Sequence, residues 1–414
     1  MFALADCNNF YASCHRLFEP QFNSIPVVVL SNNDGCVIAR SNEAKACGIP
    51  MGAPFFKIKA EIQKHNVAVF SSHYTLYGDI SARVMTNLAR FTPDVEVYSI
   101  DECFLGLTGI GNLKEYGRTL RETVIKNTGI PISVGIAPTK VLAKVANKIS
   151  KKFNGVMVLE TPDQITAALS QYPVEDLWGI GKQHSQRLIR GGIETAAQFR
   201  DLPVDWVQTN MTIVGARMWR ELWGESCLPL KTVLDPKKGM CTSRAFGKLT
   251  GDYDQLKEAT TSYASRLAVK LRREKLCTSV ISIRLLTNRF IGESEQVFPC
   301  ITIPLDHPVN NTVDLVKVAL SGLKKIYRRG YMFQKVEVTA TGLIPETEVQ
   351  LNIFNEFKGV NYDKISRVLD KLNSHYGAGT LRIAGEGLAP KWAMKREFLR
   401  PSYTTDWNDI IKVK

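Results

Sequence analysis

A chain of 414 residues, 44% of them hydrophobic, is longer than one core usually serves, which excludes both a small single-core protein and a disordered one. Its 53 Lys and Arg against 40 Asp and Glu give a formal net charge of +13, which points to an anionic partner, nucleic acid first. No apolar run approaches the roughly 18 residues of a membrane span and no basic leader precedes Phe2, so a cytoplasmic protein without a membrane partner is expected.

The charge excess is concentrated. Between Lys231 and Phe290 stand 13 Lys and Arg against 5 Asp and Glu, a local net of +8. The nine cysteines are scattered, with no pair at zinc-site spacing, so reduced and mostly buried thiols are expected.

In chain order, Phe2 to Ala5 reads as a strand that ends in Asp6 and passes into an apolar helical stretch from Phe10 to Phe18. Pro26–Leu30 and Cys36–Ala39 read as short strands around a turn at Asn32-Asn33-Asp34-Gly35. A turn-rich subdomain continues to about residue 66, followed by a helix over Tyr77–Phe91. Val95–Tyr98 and Cys103–Leu107 pair around Ser99-Ile100-Asp101-Glu102. A helix (113–126), a strand (132–136) and a second helix (140–151) complete an α+β domain.

Residues 173–229 are all-helical, with Gly179-Ile180-Gly181 between two short helices. From 240 to 345 the order is strand (241–246), helix (256–274), strand (279–287), strand (296–303), helix (313–329), strand (336–343), the β-α-β-β-α-β succession of ferredoxin-like domains. A polar tether over 345–350 and a last α+β piece follow.

Asp6, at the end of an apolar strand, reads alone as a helix cap, and Asp101-Glu102 reads alone as a solvated turn. Together they fit one mechanism. Hard divalent ions take oxygen ligands and few protein carboxylates, and two ions about 3.5–4 Å apart clamp the attacking and leaving oxygens of a phosphoryl transfer. Neighbouring strand residues face opposite ways, so Asp101 and Glu102 reach one site only where the backbone bends.

Asp6-Cys-Asn-Asn-Phe-Tyr-Ala-Ser-Cys14, Ser31-Asn-Asn-Asp-Gly-Cys-Val-Ile-Ala-Arg40 and Tyr98-Ser-Ile-Asp-Glu102 resemble the signatures of Y-family translesion DNA polymerases. Within that family the likeness is to the UmuC-type catalytic subunit of bacterial DNA polymerase V, and it extends to Arg400-Pro-Ser-Tyr-Thr-Thr405. The resemblance implies an α+β multidomain right hand. Its parts are palm (1–25 and 73–165), fingers (26–72), helical thumb with a helix-hairpin-helix (166–232) and a ferredoxin-like, DNA-binding little finger (238–345). A tether (346–358) and a C-terminal extension (359–414) follow.

Carried over position by position, Asp6, Asp101 and Glu102 are the metal-binding acids for two Mg²⁺ ions, helped by the Cys7 main chain. Phe10 supplies backbone near the triphosphate, Tyr11 takes the steric-gate position under the incoming sugar, and Lys45 and Lys151 stand near the phosphates. Asn42 replaces an aromatic phosphate contact of some relatives, and His15 replaces the usual Glu.

Gly179, Gly181 and Lys182 form the phosphate-binding hairpin, where glycine lets backbone N–H groups approach DNA. Lys270, Arg272, Arg273 and Lys275, with Arg284 and Arg289 on the next strand, form a basic face for sequence-independent grip. Gln350, Leu351, Ile353 and Phe354 match a sliding-clamp peptide. The implied activity is error-prone transfer from a dNTP to a primer 3′-hydroxyl on template DNA within the SOS response. The implied partners are the clamp, a UmuD′-like dimer and a RecA filament. A palm-fold cyclase would share the acids but has no use for the Gly-Ile-Gly module or the basic domain, and a non-catalytic DNA-binding scaffold would carry the acids as relics.

Overall fold

The computed structural model describes residues 1–233, 235–290, 296–350, 362–388 and 391–411. Two compact units form, one from Met1–Leu234 with Glu397–Lys414, the other from Asp235–Arg396.

The first unit opens with β1 (Phe2–Cys7), α1 (Phe10–Phe18), β2 (Val27–Leu30), β3 (Val37–Arg40), α2 (Asn42–Ala46), α3 (Lys59–Lys64), β4 (Ala68–Ser71) and α4 (Tyr74–Leu88). It continues through β5 (Val95–Val97), β6 (Glu102–Gly106), α5 (Leu113–Thr128), β7 (Ile132–Ala137), α6 (Lys140–Ser150), β8 (Val156–Val158) and α7 (Pro162–Ser170). The main sheet has the order β5-β6-β1-β7-β8, with the first strand at its centre.

Side chains alternate across a strand. Ala3, Ala5 and Cys7 therefore join the core built with α1, α4 and α5, while Leu4 and Phe104 join the core that contains α6. Asp6 continues the Leu4 row and Glu102 the Phe104 row, so both acids face the α6 side. In the smaller sheet β2 lies between antiparallel β3 and parallel β4, its four residues fully buried.

Strands β4 and β8 and helices α2, α3 and α7 go beyond the elements expected from sequence. Helix α4 begins at Tyr74, three residues earlier than the pattern suggests, because the His73 ring accepts the Leu76 N–H at 3.3 Å and caps it. That cap is outside the usual Ser, Thr, Asp and Asn set.

Helices α8 (Lys182–Arg190), α9 (Ala196–Arg200) and α10 (Val204–Leu222) follow. Fully buried Glu221 on α10 accepts the N–H groups of Val141 (3.0 Å), Cys227 (2.9 Å) and Leu228 (2.8 Å), which fastens these helices to α6. Three donors in place of water make a buried carboxylate tolerable.

The second unit runs β9 (Gly239–Thr250), α11 (Tyr253–Arg273), β10 (Leu276–Thr287), β11 (Cys300–Val309), α12 (Thr312–Ile326), β12 (Phe333–Pro345) and α13 (Tyr362–Tyr376). The β-α-β-β-α-β succession is present, and the strands lie in the order β11-β10-β12-β9, antiparallel throughout. Strand β11 starts at Cys300 rather than Gln296 and runs through Pro304 and Pro308. It is an edge strand, where a missing N–H breaks no ladder.

The expected single extension over 359–414 is divided between the units. Helix α13 caps α12 through the Ser366 hydroxyl on the Thr312 N–H (3.0 Å), and Trp392 enters the second unit's core. Residues from Glu397 onward fold onto the first unit instead.

Candidate active site

The three acids converge by register and by a turn. Asp6 on β1 lies directly opposite Glu102 on β6, which places both side chains on one face. Asp101 is brought beside them by the bend that the sequence required. The Ser99 hydroxyl accepts the N–H groups of Asp101 (3.3 Å) and Glu102 (3.0 Å) and donates to Asp101 Oδ1 (2.6 Å). The Cys7 N–H donates to the Asp101 carbonyl at 2.9 Å, which ties the turn to the end of β1.

Helix α6 answers these acids with lysines one turn apart. Lys140 pairs with buried Glu96, and Lys144 Nζ donates to both carboxylate oxygens of Glu102 (2.9 and 3.0 Å). Just past the helix, Lys151 Nζ donates to Asp6 Oδ1 at 2.7 Å. Lys144 is caged by three rings, its ammonium 4.6 Å from the centroid of Tyr98, 5.1 Å from Trp178 and 5.8 Å from Phe104. Lys144 is absent from the residues expected on sequence grounds. The only signal available was its i, i+4 spacing from Lys140 on a helix packed against the acid-bearing strands.

Burial lifts the Asp6 carboxyl above the usual carboxylate range, Lys151 opposes that lift, and Glu102 and Asp101 add to it. The three acids thus share one field. Among the described residues no three His, Cys, Asp or Glu side chains close around a point as a cage. The donors fit a hard divalent ion that takes few carboxylates and completes its shell with water and phosphate oxygens. Asp6, Asp101 and Glu102 are the residues that would hold it.

A cationic rim stands beside the acids. Lys45 Nζ on α2 donates to Asn9 Oδ1 (2.6 Å) at the start of α1, and Asn42 Oδ1 accepts from Asn9 (3.0 Å). Burial, then the charges of Arg40 and Lys151, lower the Lys45 ammonium, and Asp6 works against them. Lys45, Lys151 and Arg40 are thus electrostatic neighbours, and Arg40 is an addition to the sequence-derived set. Phe10 is a core side chain, 3% exposed. Tyr11 is half-buried and stacks on Tyr77.

Gly179 has φ +105°, a conformation glycine takes without strain, and a Cβ at Gly181 would meet nothing within 4 Å. Gly181 is the N-cap of α8 with no side-chain cap, and exposed Lys182 follows. Among the described residues no side chain caps the first N–H groups of that helix, which suits them to an anion.

Arg272 requires a correction. Its side chain is 8% exposed, donates to both carboxylate oxygens of Asp370 (2.7 Å each) and reaches the Asn310 carbonyl (2.6 Å). A guanidinium held by an internal carboxylate is not presented to DNA. Lys270, Arg273 and Lys275 remain exposed. The helices cover one face of the second unit's sheet and leave the other open. Across that open face Thr302, Ser282, Thr339 and Cys241 lie side by side, flanked by the half-exposed Arg284 side chain. Leu351, Ile353 and Phe354 lie outside the described residues, and Gln350 closes the described segment before them.

Acids on adjacent central strands, a helix-hairpin module and a separate sheet domain with one open face are the parts of a polymerase hand. The fold matches the solved "Y-family DNA polymerase chimera Dbh-Dpo4(243-245)-Dbh" with a TM-score of 0.67 at 20% identity, covering 83% of this chain and 100% of that one. It is the Y-family fold of palm, fingers, thumb and little finger. The chain belongs to the impB/mucB/samB family, whose description matches residues 5–148 and whose C-terminal domain matches residues 237–353. Residues 363–413 match a domain of unknown function, DUF4113. The chain is 42% identical to "Protein UmuC" of Salmonella typhimurium (strain LT2) and 40% identical to "Protein SamB" of Salmonella typhimurium, each over 100% of both chains. All nine cysteines are free thiols, and no described helix is long and apolar enough to cross a membrane.

Proposed function

We propose that this chain is a DNA-directed DNA polymerase that performs error-prone translesion synthesis in the SOS response to DNA damage, joining a dNTP to a primer 3′-hydroxyl with two Mg²⁺ ions. The observation that carries the catalytic reading is the register of Asp6 against Glu102, with Asp101 turned in by Ser99, beside the cations Lys45 and Lys151. Divalent metal supplies the charge that neutralises the reacting phosphates and the primer oxygen. Lys45 and Lys151 bind the triphosphate, and the backbone from Cys7 to Phe10 lies along it. Tyr11 excludes the 2′-hydroxyl of a ribonucleotide.

DNA is gripped without regard to sequence. Gly179, Gly181 and Lys182 take a backbone phosphate at the α8 N-terminus. Lys270, Arg273 and Lys275 add charge, and the open sheet face around Ser282 and Arg284 offers small hydroxyl side chains that let a phosphate backbone come close. Gln350, Leu351, Ile353 and Phe354 are proposed as a sliding-clamp ligand, a UmuD′-like dimer and a RecA filament as further partners, and the cytoplasm as the setting, with which nine free thiols accord.

The test is primer extension with purified protein, with and without Mg²⁺. Asp101→Asn and Glu102→Gln are each expected to abolish extension while primer-template affinity stays within about twofold, since they remove metal charge and leave the phosphate-binding groups in place. Wild-type turnover in either variant would overturn the assignment.

A further inference from the structure

Tyr11 rests on a buried column of rings. Its ring lies flat on Tyr77, centroids 4.2 Å apart and planes 14° apart. Tyr74 meets both edge-on, at 6.2 Å and 6.1 Å. Tyr77 is fully buried on α4, and its hydroxyl lies 2.8 Å from His15 Nε2. His15 is fully buried as well and stacks on Phe70 of β4, 4.2 Å between centroids at 8°. Tyr11 and His15 are one helical turn apart on α1, so a single residue of α4 contacts both.

We propose that Tyr77 and His15 are positioning residues for sugar selection: Tyr77 is the floor that sets the height of the Tyr11 ring under the nucleotide, and the His15–Tyr77 hydrogen bond locks that floor. This rests on the reading of Tyr11 as the gate.

A clash with a 2′-hydroxyl discriminates only if the ring cannot yield, because a ring free to sink lets the ribonucleotide in. Offset stacking on a fixed partner removes that freedom, and Tyr77 has no space to retreat, being enclosed by Phe10, Tyr74 and His15. The lock follows from hydrogen bonding. A buried phenol hydroxyl needs a partner, and a neutral imidazole offers one. Burial drives His15 down to about 3, so it is neutral at physiological pH. Among the described residues its Nδ1 has no hydrogen-bond partner, so the bond to Tyr77 is the polar contact that orients the ring. A carboxylate at position 15 would be buried against the same phenol with Phe70 across it. The aromatic residue suits this position because it fills the stack and makes the bond at once.

The experiment is single-nucleotide insertion of a ribonucleotide against the matching deoxyribonucleotide, with Tyr11→Ala as reference. Tyr77→Leu removes the floor and is expected to raise the ribo-to-deoxy efficiency ratio about tenfold, toward the Tyr11→Ala value. Tyr77→Phe and His15→Leu keep the packing and lose the bond, and each is expected to raise the ratio about threefold. His15→Gln, whose amide occupies the region of Nε2, is expected to return the ratio to wild type. Tyr77→Phe is nearly isosteric, so the test survives if a larger change fails to fold. If Tyr11→Ala raises the ratio while both Tyr77 variants slow the two substrates equally, Tyr77 and His15 are packing residues only and the proposal falls with the gate intact. If Tyr11→Ala itself leaves the ratio unchanged, the gate reading fails and takes this proposal with it.

Discussion

Lys144 competes for the carboxylate that a metal ion would need. Its ammonium holds both oxygens of Glu102 while three aromatic faces hold the ammonium, with the lysine side chain 14% exposed and the glutamate 20%. Lys144→Met keeps the apolar stem against Tyr98, Phe104 and Trp178 and removes only the charge. The metal-free protein is expected to lose about 1–3 kcal/mol, because three acids lose one of their compensating cations. The Mg²⁺ concentration for half-maximal thermal stabilisation is expected to fall, and an unchanged Mg²⁺ titration would show that Lys144 does not share the site. His15 governs a second response at this scale. Its folded pKa is depressed by burial to about 3, with His73 and Arg400 adding to the depression. The unfolded state therefore binds one more proton between the ordinary histidine range and pH 3. Stability from neutral His15 is fully present above about pH 6.5 and is lost as pH falls toward 3. Relative to wild type, His15→Gln should flatten the acid limb of the stability curve by on the order of 1 kcal/mol per pH unit. Parallel curves for the two proteins would remove His15 from the acid response.

At the scale of elements, helix α6 carries its function in spacing. Lys140, Lys144 and Lys148 meet Glu96, Glu102 and Asp176 one turn apart, so a single helix neutralises acids from two strands and from the loop before α8. Helix α11 behaves otherwise. Its last turn looks uniformly basic in sequence, but the structure divides it: Arg272 docks α13 through Asp370, while Lys270 and Arg273 are exposed. Arg272→Ala leaves Asp370 without its partner and is expected to loosen α13 by about 2 kcal/mol, seen as faster proteolysis within 362–388. The salt dependence of DNA binding should not move in that variant. Neutralising Arg273 and Lys275 instead should reduce the slope of log affinity against log salt by roughly 0.9 for each phosphate no longer neutralised. A changed slope in Arg272→Ala would return it to the DNA-binding face.

At the scale of the molecule, the chain leaves the first unit near residue 234 and comes back to it at 397, so the second unit is tied at both ends. The returning segment makes specific contacts. The Glu397 N–H donates to Asp34 Oδ2 (2.7 Å), and Ser71 donates to Asp34 Oδ1 (2.6 Å). The Ser71 N–H reaches the Phe398 carbonyl (3.1 Å), Arg400 pairs with Glu19 (3.3 Å), and Tyr403 stacks on Phe18 at 4.8 Å. Phe398 also packs on the core of the smaller sheet beside Phe55. Asp34, buried within the Ser31–Arg40 motif, thus anchors chain 363 positions away. Deleting 397–414 is expected to lower the melting temperature of the first unit by about 5 °C and leave that of the second unit in place, read as two calorimetric transitions. Equal first-unit transitions in both proteins would show that the segment is only adherent.

The sequence by itself determined most of the element types and the β-α-β-β-α-β succession, because these depend on residues near one another in the chain, while the acids were singled out by the resemblance of their motifs to a family. Strand alternation presents Asp6 on the Leu4 side, and apolar runs bounded by turn residues mark β2, β3 and β7 without reference to any neighbour. Lys144 on Glu102, Arg272 on Asp370, His15 under Tyr77 and Asp34 on the returning segment were decided only by the tertiary structure. Each is a pairing across 42 or more positions. A lysine on a solvated helix face and one aimed at a carboxylate have the same local surroundings in sequence. Which of them is functional is set by the strand that packs against the helix, and no local period encodes that choice.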